Sequence, residues 1–390
     1  MDRATVDVYE RVAVDYDARR RPGRASDAQA FGTRVCPGGL RADLGSGPGR
    51  YTAHLGAPVV ALDAARAMLD LVPLRAPGAL RVRADLEALP FRRGALAGAW
   101  ANASSQHIAR TALPLALARL HQALRPGAPL DVSLFSGDGE GPWPGDEFPG
   151  RTFVLWRPGD LRTLFEAAGF SVNATEVGEA MPTGARTLGI RATCLRTLPD
   201  VVGPGMRLLV CGLNPSLYAA DAGVHYARPG NRFWPAALRA GLVSRARDPW
   251  HALATHGVGW TDLVKRASVG AAELSGAEYQ AGAARLAWTV RLLQPGAICF
   301  VGLTGWRAAV DRHAVAGPQP GLFSGTRAYL MPSTSGLNAH TTADDLVGHL
   351  RAAMSLSDTT MSDTTMSDTA MSDTAMSDTT ISVAGSSGTP

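Results

Sequence analysis

The chain has 390 residues, 46% of them hydrophobic and 18% charged, with a net charge of +4. At roughly 100–200 residues per domain this length predicts two or three domains, and the apolar share excludes global disorder. No apolar run reaches the about 18 residues of a membrane span, and the amino terminus lacks the basic-then-apolar order of a secretion signal. A cytoplasmic protein is expected.

Cys36, Cys194, Cys211 and Cys299 are scattered and form no C-x-x-C pair. That argues against a zinc ribbon, an iron–sulfur cluster and a disulfide framework, so buried free thiols and no metal are expected. Charge is uneven: +4 over residues 1–196, +5 over 197–354 and −5 over 355–390. Residues 357–380 repeat Ser-Asp-Thr-Thr/Ala-Met with period five, which matches neither a helix face nor a strand face. Small polar residues bury too little surface to offset ordering entropy, so 355–390 is expected to be a disordered tail. The Pro/Gly-rich stretch 197–206 is expected to link a domain at 1–196 to one at 207–354. Short apolar runs alternate with helical patterns on both sides, predicting two doubly wound three-layer α/β/α domains.

Residues 41–63 read as strand, glycine loop, short helix, strand. The loop is Asp43-Leu-Gly45-Ser-Gly47-Pro-Gly49, and the second strand, Val59 to Leu62, ends in Asp63. Glycines let the backbone turn tightly beside a ligand, and a carboxylate about twenty residues on can accept ribose hydroxyls. The spacing is G-x-G-x-G, with Arg50 where a dinucleotide fingerprint needs glycine, and the P-loop G-K-S/T is absent. Leu113, Leu117, Leu120 and Leu124 recur at helical spacing before Arg125-Pro-Gly127. Pro129–Phe135 reads as a strand, and Phe165–Phe170 ends a helix before a terminal β-pair.

On these residues, 5–195 resembles the class I S-adenosylmethionine-dependent methyltransferases. The resemblance implies S-adenosyl-L-methionine as cofactor, held by Asp43, Gly45, Gly47, Gly49, Asp63 and, in Arg83-Ala-Asp85, by Asp85 at the adenine. Where amino-methylating DNA enzymes carry Asn/Asp-Pro-Pro-aromatic, this chain reads Asn102-Ala-Ser-Ser, and no Pro-Cys nucleophile occurs. Ordinary DNA-base methylation is therefore disfavoured. His107 is either a general base or structural.

In the second block, Arg207–Leu213 is a buried-strand pattern ending in Asn214-Pro215-Ser216, which places an amide at the carboxyl end of a parallel strand. His225-Tyr226-Ala-Arg-Pro-Gly-Asn231-Arg-Phe-Trp234 follows, with Asn231 a candidate helix cap. Near the end, Tyr329-Leu-Met-Pro runs into Ser333-Thr-Ser335-Gly336-Leu337-Asn-Ala-His340. With Gly259-Trp-Thr-Asp-Leu-Val264 between them, these motifs make 200–353 resemble the mismatch-specific uracil/thymine DNA glycosylases of the uracil-DNA glycosylase superfamily. The resemblance implies double-stranded DNA carrying a mismatched or damaged base as partner. Asn214 would position water, and Gly212, Leu213, Ser216 and Tyr226 would line the base pocket. Ser335, Gly336 and Leu337 would wedge into the duplex.

The chemistry fits these residue types. Extruding a base costs least at mismatches, a tyrosine offers a stacking face, and an amide can orient water without deprotonating it. Faster relatives resemble this layout with Asp in the first loop and His in the last, where Asn214 and Met331 stand here. Ser216 replaces a common Gly, and Ser333-Thr334 a common Asn-Pro. Lys265 is the single lysine and lies outside the motifs, so hydrolysis without a lyase step, metal or glycosylase cofactor is expected. The expected protein excises uracil, with thymine as a further target, from G·U and G·T mispairs and is nucleoid-associated. In the alternative, a methyltransferase acts on a small molecule or protein and the second domain is a DNA-binding adaptor.

Overall fold

The computed structural model describes residues 2–20, 23–180 and 186–374. Two sheets organise the chain. The first unit runs through α1 (Arg3–Arg19), α2 (Ala25–Arg34), β1 (Arg41–Leu44), β2 (Val59–Asp63), α3 (Arg66–Leu69), β3 (Leu80–Arg83) and β4 (Gly98–Asn102). It continues with α4 (Leu113–Ala123), β5 (Pro129–Ser136), β6 (Glu140–Pro142), β7 (Thr152–Trp156), α5 (Pro158–Ala167), β8 (Phe170–Ala180) and β9 (Arg186–Cys194). Its path is β3-β2-β1-β4-β5-β7-β6, with β9 antiparallel to β5 and β8 antiparallel to β9. The parallel strands reverse direction of winding at β1/β4, so the crevice beyond their carboxyl ends opens at the glycine loop.

The second unit comprises β10 (Leu208–Gly212), α6 (Leu217–Ala222), α7 (Phe233–Ala240), α8 (Pro249–His256), β11 (Val258–Asp262) and α9 (Gly276–Leu293). Then come β12 (Ala297–Val301), α10 (Thr304–Ala309), β13 (Gly317–Phe323), β14 (Thr326–Met331) and α11 (Ala343–Thr374). Its order is β11-β10-β12-β14-β13, parallel except for β13. The central strands β10, β11 and β12 are buried throughout, as sheets covered on both faces require. One face packs around Trp234, Trp260 and Leu350, the other around Leu286, Val290 and Trp306. The chain passes from β11 across β10 to β12, which puts the switch point at the end of β10. The expected doubly wound α/β architecture therefore holds in both units.

Two expectations need correction. Residues 197–206 do not form a free link. Val201 exchanges two 2.9 Å backbone hydrogen bonds with Trp260. Buried Asp200 accepts from Lys265 (2.8 Å), Arg285 (2.7 Å) and Thr261 (2.7 Å), so the stretch is an edge piece of the second unit. The end of helix α11 runs into the start of the expected tail, through Thr374. Ser357 is buried and Asp358 pairs with Arg207 at 2.6 Å, so the repeat extends a nucleus already formed, which costs less than starting a helix. Residues 375–390 lie outside the described residues. Cys36 is exposed, because it begins the turn Cys36–Gly39 after α2, whereas Cys194, Cys211 and Cys299 are buried as expected.

The units touch through named groups. Trp288 Nε1 donates to Asp160 at 2.7 Å, Arg119 lies over Trp250 at 5.0 Å, and Arg93 reaches the carbonyls of Ala220 and Asp221 at the end of α6. A cavity of about 400 Å3 lies beside these contacts, walled by His121, Leu198, Trp250 and His225 among others. No helix among the described residues is long and apolar enough to cross a membrane.

Candidate active sites of the two units

In the first unit Gly45, Gly47 and Gly49 all adopt positive φ (67°, 52° and 77°), which explains the three glycines. A Cβ at Gly45 would lie 2.2 Å from that of Ser104, whereas Gly47 has open space where a side chain would stand. Gly45 N and Ser46 N donate to Leu62 O, folding the loop over the end of β2. There Asp63 accepts Gly47 N at 2.8 Å on one oxygen and Ala65 N at 2.9 Å on the other. Each carboxylate oxygen keeps a second lone pair. Burial raises the Asp63 carboxyl to about 6. Asp63 and Arg83 are register partners, so Asp85 follows on the same edge, with Glu87 N bonded to its Oδ1 at 2.9 Å.

Asp43, the first of the expected cofactor residues, is enclosed. It lies buried in β1 and accepts from Thr52 Oγ1 at 2.6 Å, so it braces the turn after the glycine loop. Burial pushes its carboxyl up to about 7. Helix α1 covers the same edge, an arrangement with no signal in the sequence. Glu10 accepts Arg66 N and Ala67 N at 2.8 Å each, and Asp17 holds Arg50 (2.9 Å) and Arg75 (2.7 Å). His107 is buried with both ring nitrogens engaged, Nδ1 on Thr152 O (2.7 Å) and Nε2 on the Tyr9 hydroxyl (2.9 Å). The carbonyl partner puts the proton on Nδ1, and burial lowers the ring to about 4. Of the two readings of His107, the structural one matches this satisfied, neutral ring.

In the second unit Asn214 stands two residues past β10, partly exposed. Its Nδ2 is shared among Ser268 Oγ (2.8 Å), Arg266 O (3.0 Å) and Pro215 O (3.2 Å). Two of these partners are carbonyls, so the amide orientation is fixed and Oδ1 is the open acceptor. Ser216 caps α6, its Oγ accepting Ala219 N at 3.1 Å. Leu213 packs against Gly305, whose Cβ would come within 2.8 Å of Leu213 Cδ1.

Tyr226 sits at φ +56° with its ring stacked on Phe233 (4.2 Å between centroids, 12° between planes). Phe233 therefore occupies one face, leaving at most the other for a base. The hydroxyl is buried beside Gly212, where a Cβ would lie 3.1 Å from it, and burial raises it well above 10. Gly212 and Tyr226 are thus brought together.

Leu337 is 89% exposed at the tip of a loop that Arg232 holds from below. The guanidinium donates to Asn338 O (2.6 Å) and Thr341 O (2.5 Å), and Arg232 N donates to Thr334 O (2.9 Å). Gly336 faces Gly230 O, 3.0 Å from its would-be Cβ, so Ser335–Leu337 rests on the loop that carries Tyr226. Asn231 bonds Phe233 N (2.9 Å), one residue before the position expected of a cap. Met331 is fully buried and His340 exposed.

Asp262 is not among the residues expected at the site. It ends β11 in register with Gly212, 3.4 Å from His225. The signal was present: a carboxylate closing an apolar strand, as with Asp63. Lys265 is salt-bridged to Asp200 and mostly buried.

Fold and edge chemistry define two α/β units, each with its polar residues at the carboxyl edge of a parallel sheet. Residues 42–130 match the family model of a methyltransferase domain, and residues 199–353 match that of the uracil DNA glycosylase superfamily. The chain is a fusion of a class I methyltransferase domain with a uracil DNA glycosylase superfamily domain. Among solved structures it is similar to the Burkholderia thailandensis 1,6-didemethyltoxoflavin-N1-methyltransferase (23% identity, 49% of this chain and 88% of that one, TM-score 0.41). It is also similar to the CcbJ methyltransferase of Streptomyces caelestis (14%, 50% and 100%, 0.40) and to a methyltransferase of Mesorhizobium loti (20%, 44% and 98%, 0.37).

Proposed function

We propose that the second unit is a monofunctional glycosylase that extrudes and hydrolytically excises uracil, and thymine less readily, from G·U and G·T mispairs. The observation that carries this reading is Asn214. Its amide is locked through Nδ2 at the switch point, which leaves Oδ1 to orient a water. Leu337 fills the vacated stack, on a loop stiffened by Arg232, and the free face of Tyr226 receives the base. Negative charge develops on the departing pyrimidine and is met by backbone N–H groups near Leu213 and Tyr226. Lys265 is committed to Asp200, which supports hydrolysis over Schiff-base chemistry. Ser216 is held as a helix cap and narrows the pocket where relatives have glycine, which supports uracil over thymine.

The first unit binds S-adenosyl-L-methionine through Gly45, Gly47, Gly49, Asp63 and Asp85, with Asp43 holding the loop from within. Bound there, the cofactor supplies an electrophilic methyl group for an acceptor other than the DNA bases. At about 100 times Kd it would stabilise this unit by about 2.7 kcal/mol, and an unchanged melting profile counts against binding.

The deciding assay incubates the full chain with end-labelled G·U and G·T duplexes and then treats them with alkali. Strand breaks at the mispair are expected, strongest for G·U. They disappear in Asn214→Ala while duplex binding persists. Binding without breaks in the wild type would reject excision and favour the adaptor reading.

A further inference from the structure

Four buried polar atoms at the reactive edge of the second sheet have no partner among the described residues: His225 Nδ1 and Nε2, Tyr226 Oη and Asp262 Oδ2. Buried polar groups are nearly always bonded, so this concentration marks a place that water or a ligand completes. His225 is 2% exposed and Asp262 4%. His225 Nε2 and Asp262 Oδ2 are 3.4 Å apart, near enough for charge attraction and too far for a good hydrogen bond. The cluster lies against the base site. Asp262 is the register partner of Gly212, and a Cβ on Gly212 would stand 2.3 Å from Asp262 Oδ1 and 3.1 Å from Tyr226 Oη.

The surrounding charges leave this carboxylate uncompensated apart from His225. Arg285 on α9 gives Nη2 to the Asp262 carbonyl (2.6 Å) and Nη1 to Asp200 (2.7 Å). Lys265 also binds Asp200. The remaining titratable neighbours are Tyr226, Cys211 on β10 and Cys299 on β12. Trp260 borders the His225 ring at 6.1 Å.

Hydrolysis needs a destination for the proton of the attacking water, and an amide does not accept it. Resting on the glycosylase reading above, we propose that Asp262, paired with His225, is the proton acceptor of the hydrolytic step, reached through a water held by His225, Tyr226 and Asp262. The attacking water oxygen bonds to C1′ of the sugar as the C1′–N bond breaks and its electron pair leaves on the base. The water's proton passes along the bridging water to the Asp262–His225 pair, and solvent later removes it and protonates the base. Sequence position alone hides this role, because Asn214 occupies the loop where faster relatives place an acid.

The test is single-turnover excision from a labelled G·U duplex by the full chain between pH 5.5 and 9. Wild-type rate is expected to rise with pH through one ionisation and then level. Asp262→Asn, which keeps shape, is expected to lose about 100-fold at pH 8 and the ionisation with it, with duplex Kd within about threefold of wild type. His225→Gln is expected to fall between the two and to displace the pH midpoint. An Asp262→Asn rate within about threefold of wild type on the same pH profile overturns the assignment while leaving excision intact. Absence of wild-type excision overturns the glycosylase reading and this one together. Should Asp262→Asn fail to fold by thermal melting, His225→Gln decides by the same criterion: an unchanged profile overturns the pair.

Discussion

Replacing Asp43 by Asn tests how the glycine loop is braced. The Asp43 carboxyl is buried in β1, bonded to Thr52, and raised by that burial from 3.8 to about 7. The folded unit therefore holds this proton up to about pH 7, whereas the unfolded chain releases it near 3.8. Between those values the folded state binds more protons, so stability is lost as pH rises. A difference of about 3 in pKa at 1.36 kcal/mol each amounts to about 4 kcal/mol, incurred in full above pH 7. Asn keeps the acceptor for the Thr52 hydroxyl and carries no charge. Asp43→Asn should match wild type near pH 4 and stabilise the first unit by up to about 4 kcal/mol at pH 8. At roughly 2–4 °C per kcal/mol, the first unit's melting transition should rise by about 8–16 °C. Differential scanning calorimetry at both pH values reads this directly. A variant that melts lower at pH 8, or by the same margin at both, refutes the reasoning. The variant should also keep its stabilisation by S-adenosylmethionine, since the Asp43 side chain is buried on Thr52.

Three further outcomes are expected. Leu337→Ala should slow excision from a G·U duplex by about 10–100-fold, the rate equivalent of about 1.5–3 kcal/mol of leucine burial. It should spare single-stranded uracil and leave the melting temperature unchanged, because this side chain is 89% exposed in the free protein. Asp200→Ala strands Lys265 and Arg285 without their buried acceptor and should cost the second unit about 3–5 kcal/mol in urea unfolding. Cofactor affinity should fall below about pH 6, where Asp63 takes a proton and can no longer accept ribose hydroxyls as an anion. Equal Kd values by calorimetry at pH 5 and pH 8 would count against Asp63 as the ribose ligand.

Much of the candidate chemistry was legible in order along the chain. Gly45, Gly47 and Gly49 announce a turn because positive φ is a property of single residues. Apolar runs such as Val59–Leu62 and Leu208–Val210 announce buried parallel strands, and Asn214-Pro215 announces the end of one. Even Leu337, an apolar residue among Ser, Gly and Asn, could be picked out as a loop tip. These signals live within a few residues and survive without knowledge of what packs where.

The rest required the folded chain. Asp43 and Asp63 are both acids beside the glycine loop, yet the fold gives one the Thr52 hydroxyl and the other the N–H groups of Gly47 and Ala65. Asp262 meets Gly212 and His225 across fifty and thirty-seven positions of sequence, and Arg232 reaches Thr341 across more than a hundred. Residues 355–358 became helix because Arg207 and the second core anchor them. Turn chemistry and hydrophobic period are local and were fixed by the residues themselves. Register, burial and the pairing of charges are settled by long-range packing, and that packing gave Asp262 its neighbours.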